Sequence, residues 1–129
     1  MNKEGDRVPT AKEAIDAYVD AWNSSDPSLS RRLVEQAMTE DALMAYPRFE
    51  ARGWKGISEL MVTYKQQSPG MSIELTTNIE EHHGWVRVGW RMLDADGSVL
   101  GEGEDVAVVA DDGRFSRMIG FRNPLPPVS

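Results

Sequence analysis

The sequence predicts an α+β domain, with three N-terminal helices packed on a strongly curved, mixed and mostly antiparallel sheet that forms a cone with a central cavity. Three observations predict it. Apart from one short run near residue 44, apolar residues recur at helical spacing as far as Gln67, and after Gly70 they alternate with polar ones. Asp94-Ala95-Asp96-Gly97 and Asp111-Asp112-Gly113 are hairpin signals that divide the second half into successive antiparallel strands. Helices come first and strands after, the order of a domain whose helices cover one face of a meander. The 129 residues suffice for one domain spanning 1–129, with 1–8 and 123–129 as tails.

The first helix runs from about Thr10 to Asn23. Thr10-Ala11-Lys12-Glu13 has the spacing of a capping box, and Ala11, Ala14, Ile15, Tyr18, Val19 and Trp22 form one apolar stripe. Asp26 caps a second helix with Pro27 in its first turn, and Leu29, Leu33, Ala37 and Met38 give it an apolar side. Ala42 to Tyr46 reads as a short strand stopped at Pro47. A third helix is expected from Ile57 to Gln67, with Ile57, Leu60, Met61 and Tyr64 inward and Ser68-Pro69-Gly70 ending it. Residues 71–80 alternate as one half-buried strand. Val86, Val88, Trp90 and Met92 share a face of the next, opposite Trp85, Arg87 and Arg91. Strands from Val99 to Val109 and from Phe115 to Phe121 complete the sheet.

Composition narrows the function. The chain is 40% apolar and 27% charged, near the globular average. It has no cysteine, which removes disulfides, cysteine-held metals and thiol nucleophiles. Fourteen basic against 21 acidic residues leave a net charge of −7, which opposes binding to nucleic acid or anionic membranes. No apolar run is long enough to span a bilayer, and Met1 to Arg7 contains no apolar stretch, so a cytoplasmic protein without a leader is expected.

The order of elements carries several short stretches worth comparing: Tyr18-Val19-Asp20-Ala21-Trp22-Asn23, Glu40-Asp41-Ala42, and Glu104-Asp105-Val106 ahead of Asp112-Gly113-Arg114. Together, from about Thr10 to Pro124, they resemble the SnoaL-like branch of the nuclear transport factor 2-like superfamily. Such relatives include steroid isomerases, polyketide cyclases, dehydratases, epoxide hydrolases and binding proteins without catalysis, so fold alone does not fix function. The resemblance to ketosteroid isomerase implies an enolate-binding pair, with Tyr18 on the first helix and a protonated Asp105 on a late strand. That family's base is an aspartate before a proline on the first strand; here the residue before Pro47 is Tyr46, a poor proton acceptor. The Asp-Arg-Asp pattern of the epoxide hydrolases finds no match. The resemblance to SnoaL-type cyclases implies acid/base work by Asp105 with a histidine of the His82-His83 pair nearby.

The residues themselves weigh as follows. By alternation Asp105 shares a face with Gly101, Gly103, Ala107 and Val109, where a carboxyl would be desolvated and its pKa raised. The alternative is an outward aspartate paired with Arg117. Tyr18 fits either a core tyrosine or a pocket group, and Tyr46 stands where the fold aims a side chain into the cavity. Of the adjacent pair only His82 falls on the face of Val86, Val88 and Trp90, where it is either an acid/base group or a satisfied core or rim histidine. The catalytic candidates are therefore Asp105, Tyr18, Tyr46 and His82, and Trp22, Leu60, Tyr64, Trp90 and Phe121 are assigned to the substrate wall. Arg48, Arg52 and Arg122 either draw an anionic substrate to the mouth or are merely solvated. Gly101-x-Gly103 inside a strand reads as a bulge or a thin wall, not a nucleotide loop. No metal or organic cofactor is expected. Val106 and Val108 on the outer sheet face invite homodimerisation. The expected ligand is a small hydrophobic carbonyl, polyketide-like or steroid-like compound. Isomerase, cyclase or dehydratase chemistry, simple ligand binding and a purely assembling role all stay open.

Overall fold

The computed structural model describes residues 8–129; the reading of residues 1–7 as tail, and as lacking a leader, lies outside the described residues. Helix α1 (Ala11–Asn23) opens on the predicted capping box, with Thr10 Oγ1 accepting from Glu13 N at 3.1 Å and the Glu13 carboxylate accepting from Thr10 N at 3.0 Å. Its apolar stripe is buried, Tyr18 and Trp22 included. Helix α2 (Pro27–Ala37) is capped by Asp26, whose carboxylate accepts from Ser28 N.

The buried side of α2 is rotated from the predicted one. Val34 and Ala37 are fully buried and Leu29 is exposed. Ser30 takes the inward place that apolar counting missed, because its hydroxyl donates to the Ala21 carbonyl at 2.8 Å and is satisfied inside. Strand β1 (Met38–Tyr46) follows α2 without a loop and starts four residues before the predicted strand. Met38 caps α2 and begins β1. The polar run Thr39-Glu40-Asp41 and a register shift between Met38 and Leu43 hide that beginning from any alternation count.

Strand β2 (Phe49–Arg52) was not expected. Four residues are too few for a period to register, although they do alternate between half-buried and exposed. Helix α3 (Gly53–Gln67) starts one turn before the predicted Ile57; Gly53 and Gly56 argue against helix by propensity, and packing overrides them. Trp54, in that first turn, donates from Nε1 to the Met38 carbonyl at 2.9 Å and ties α3 to the start of β1.

The expected strand over 71–80 is two strands, β3 (Ser72–Leu75) and β4 (Glu80–His82), both antiparallel to β5 (Trp85–Leu93). The break lies opposite Gly89. There Thr76 N donates to the Gly89 carbonyl and Gly89 N donates to Thr77 Oγ1, and a Cβ on Gly89 would stand 2.5 Å from Thr76 Oγ1. Strands β6 (Val99–Val109) and β7 (Phe115–Arg122) match the prediction, separated by a turn in which Gly113 has φ +85°.

The sheet has the order β2-β1-β7-β6-β5-β3, with β4 pairing β5 off that path. Among the described residues only β1 and β7 run parallel, so the sheet is mixed and mostly antiparallel, under three helices. The core fills the space between them around Ile15, Tyr18, Val34, Ile57, Met61, Val88 and Met118. No helix among the described residues is long and apolar enough to cross a membrane.

Two glycines test this packing in opposite directions. A Cβ on Gly120 would stand 2.0 Å from the Tyr46 ring, whereas one on Gly56 would meet nothing within 4 Å. Gly120→Ala is expected to lower stability by about 2 kcal/mol through overpacking. Gly56→Ala in the helix is expected to raise it by about 0.5–1 kcal/mol. Urea denaturation of the two variants measures both.

Candidate functional site

Residues of β1, β2, β3, β5 and β6 and the end of β7 meet α1 and α3 around a cavity of about 360 Å³. Its walls are apolar and aromatic. Trp22 lies edge-on to Tyr64 at 5.8 Å between ring centres, and Phe49 sits 5.8 Å from Tyr64 and 5.3 Å from Tyr46. Met71, Ile73, Leu75 and Met92 complete the apolar lining.

At the inner end is a line of three hydroxyl and carboxyl groups. Tyr18 Oη and Tyr46 Oη are 2.7 Å apart, and Tyr46 Oη donates to Asp105 Oδ2 at 3.0 Å. When the carboxyl is ionised, Tyr46 spends its one hydrogen on it and Tyr18 is then the donor in the first bond. The sequence places these groups by alternation. Asp105 pairs with Gly120 across β6 and β7, and Gly103, Asp105 and Ala107 all point inward and are buried.

Two glycines make the room. The Tyr46 ring occupies the space a side chain on Gly120 would need, and Trp90 occupies the space of one on Gly103, where a Cβ would stand 2.5 Å from the indole ring. Gly103 is thus the thin wall expected of Gly101-x-Gly103.

Asp105 is only 5% exposed. Burial raises its pKa from 3.8 to about 7, and the Tyr46 hydroxyl and the Trp90 indole N–H each moderate the rise. Burial, and then the adjoining carboxylate, push Tyr18 and Tyr46 well above the ordinary tyrosine value, so both stay protonated and act as donors. One oxygen of the carboxyl is held by Tyr46. The other, Oδ1, and Trp90 Nε1 are buried and make no hydrogen bond of good geometry, although the indole N–H lies close enough to the carboxyl to act on it. Both residues line the cavity. A buried acceptor and a buried donor left open at the end of an apolar cavity describe the place of a ligand oxygen.

The predicted site residues divide accordingly. Asp105, Tyr18 and Tyr46 come together, and Asp105 does not face outward towards Arg117. Tyr18 reaches the carboxyl only through Tyr46, which stands between them. Trp22, Tyr64 and Trp90 line the cavity.

Three assignments need correction. His82 is exposed and pairs in register with Trp85, because His83-Gly84 turn the chain back; it shares the face opposite Val86 and its ring meets that of His83. Phe121 pairs with Glu104, one residue out of phase with Asp105, and is 56% exposed on the outer face. Leu60 packs half-buried against the core and does not border the cavity.

Phe49 and Met92 are wall residues that were not anticipated. The signal for Phe49 was the tight Pro47-Arg48 turn, which sets it opposite Tyr46. Among the described residues no three His, Cys, Asp or Glu side chains gather where they could hold a metal ion.

No protein-family model matches this chain, and no curated protein does. Solved structures do match. A proposed isomerase of the SnoaL-like family from Agrobacterium tumefaciens superposes with a TM-score of 0.81 at 29% identity, covering 86% of this chain and 95% of that one. A nuclear transport factor 2-like protein of unknown function from Exiguobacterium gives 0.69 at 16% identity, over 87% and 99%. A proposed polyketide cyclase from Sinorhizobium meliloti gives 0.66 at 16%, over 84% and 93%. At 16% identity these last two speak for the fold alone. The chain is similar to SnoaL-like and nuclear transport factor 2-like proteins, and the fold it shares with them is the one its sequence resembles.

The raised Asp105 pKa fixes a pH dependence of stability. Below about pH 4 the carboxyl is protonated in folded and unfolded chains alike. As pH rises from about 4 to about 7 the unfolded chain releases the proton first, so this group's contribution falls by up to a few kcal/mol and then levels off. Asp105→Asn is expected to abolish that decline. Tyr46→Phe, which removes a donor to the carboxylate, is expected to extend it to higher pH. Urea midpoints measured from pH 4 to 8 decide both.

Proposed function

We propose that this chain catalyses proton transfer on an apolar carbonyl compound held in the cavity, as an isomerase, cyclase or dehydratase, with Asp105 as the proton carrier. The observation that carries this is the buried Oδ1 of Asp105, which makes no hydrogen bond of good geometry although the Trp90 indole N–H lies close enough to act on the carboxyl. A carboxyl whose pKa lies near neutrality is present both as acid and as base at working pH, which suits it to take a proton and return it.

In the simplest cycle, the carboxylate removes a proton from the carbon next to the carbonyl. The electron pair moves onto the carbonyl oxygen, which the Trp90 N–H faces, and Asp105 returns the proton at another carbon. One proton is moved and none is gained or lost. Tyr46 holds the carboxylate in place and Tyr18 bonds to Tyr46 from behind, so the role of Tyr18 is support and not direct contact with the ligand.

A second reading has its own observation. Tyr46 occupies the place before Pro47 where an isomerase of this kind carries a base, and it bonds to both Tyr18 and Asp105. A protein that only binds its ligand would be built this way too.

We also propose a cytoplasmic homodimer formed through the outer sheet face. Trp85, Val108 and Arg117 lie side by side there, as do Arg87, Val106 and Ile119, with Phe121 beyond. Val106 and Val108 are half-buried and not fully exposed as expected; Trp85 and Phe121 are the open apolar groups. A monomeric mass by light scattering at micromolar concentration would contradict this.

The catalytic reading is tested with 2-tetralone, a two-ring ketone with acidic protons next to its carbonyl, by following exchange of those protons for deuterium in D₂O by NMR. The chain is expected to accelerate exchange, with a rate that rises with pH to about 7 and then levels as Asp105 ionises. Asp105→Asn is expected to lose about 10²-fold or more. Saturable binding of 2-tetralone without acceleration would leave the binding reading in its place.

A further inference from the structure

Two arginines at the cavity mouth are unaccounted for by the chemistry above. Arg48, in the turn after β1, and Arg122, at the end of β7, both line the cavity. Strands β1 and β7 run parallel with Ala45 beside Ile119, so the turn that follows β1 and the end of β7 lie at the same end of the sheet. Arg48 borders the cavity from that turn, where the chain reverses into β2, and Arg122 borders it from the last residue of β7. The Arg122 guanidinium lies against Gly101, with Nη1 3.1 Å from where a Cβ on Gly101 would stand.

Arg31, Arg87, Arg91 and Arg114 each have a carboxylate partner, whereas among the described residues Arg48 and Arg122 have none. Arg32, Arg52 and Arg117 are also unpaired, but they do not border the cavity. Asp105 is the one acidic residue in the lining. Two cations without a counter-charge, lining one apolar cavity in a chain of net charge −7, form a local exception to the sign of the whole molecule. A guanidinium presents its donors as a fork that matches a carboxylate.

We propose that the mouth is a carboxylate site in which Arg48 and Arg122 together hold the acid group of an apolar monocarboxylate, whose carbonyl or hydroxyl oxygen reaches Asp105 and Trp90. The assignment of the inner end rests on the proposed function; the mouth stands on the arginines alone. The distance sets the length of the ligand. Arg122 is two residues beyond Gly120, the partner of Asp105, which is about 7 Å along the strand before the reach of the arginine side chain. That spacing, with the modest cavity volume, fits a rigid acid of one or two rings bearing an oxygen at the far end.

The test uses calorimetric titration of three compounds that share one body: 6-hydroxy-2-naphthoate, its methyl ester and 2-naphthol. The acid is expected to bind about tenfold tighter than the ester at low salt, with the advantage shrinking as salt is added. Both arginines are exposed, so the double variant Arg48→Gln/Arg122→Gln is expected to fold and to bring acid and ester within about twofold of each other. Asp105→Asn is expected to weaken 2-naphthol while leaving the preference for acid over ester intact. If Asp105→Asn leaves 2-naphthol binding unchanged but the double variant erases the preference, the inner-end reading fails and the carboxylate site survives. An ester that binds as tightly as the acid, a preference that persists in the double variant, or no saturable binding of any of the three would overturn the site. Tighter binding of 2-naphthyl phosphate than of the naphthoate would overturn the carboxylate.

Discussion

One carboxyl group, buried with only one of its two oxygens satisfied, organises the interior of this protein. Leaving Asp105 Oδ1 unpartnered has a cost in folding that an apolar residue at the same place would not incur. The surrounding structure is arranged around that cost. Gly120 leaves space for the Tyr46 ring, Tyr46 brings its hydroxyl to Oδ2, Tyr18 supports Tyr46 from α1, and Gly103 lets the Trp90 indole approach. Four strands and one helix therefore contribute to the environment of a single group. A carboxyl kept near neutrality by burial, and held in orientation by a donor that cannot itself ionise at working pH, is suited to exchanging a proton with whatever fills the cavity.

The cavity is polarised from end to end. The inner end offers a neutral or singly charged acid and an N–H. The middle offers aromatic and thioether surface, and the mouth offers two guanidiniums. Such a gradient orients an amphiphilic ligand before any chemistry occurs, because an acid group placed at the inner end would meet a carboxyl and lose the arginines. Orientation of this kind explains how one proton carrier could act at a chosen carbon. It also separates the two halves of the account, since the mouth can be changed without touching the group that moves the proton.

Much of this was legible in the sequence, and the parts that were not have physical reasons. The capping box at Thr10 and Glu13, the hairpin at Gly113 and the alternation through Gly103, Asp105 and Ala107 are local rules, and the structure follows them. What escaped depends on partners distant in sequence. The division of residues 71–82 into two strands answers to Gly89 across the sheet. The early start of α3 answers to Trp54 reaching Met38. His82 was placed by counting through a turn that reverses the chain, and Phe121 by assigning an aromatic residue to the wall against the parity of its own strand. The resemblance placed Tyr18, Tyr46 and Asp105 at one site but not in their order. That Tyr46 stands between the other two follows from the size of its ring and the absence of a side chain at Gly120. Of the three arginines the sequence puts at the mouth, Arg48 and Arg122 line the cavity and Arg52 does not, a distinction that depends on the turn into β2 and that no periodicity reports.

The central claim is that Asp105 is a dry carboxyl with an oxygen open to a ligand. Titration of its side-chain carbon by carbon-detected NMR, with and without 2-naphthol, tests it most directly. A midpoint near 7, in place of the ordinary 3.8, is expected, with a resonance that moves when the naphthol binds. A midpoint near 3.9, the value of an aspartate in water, with no response to the naphthol, would contradict it.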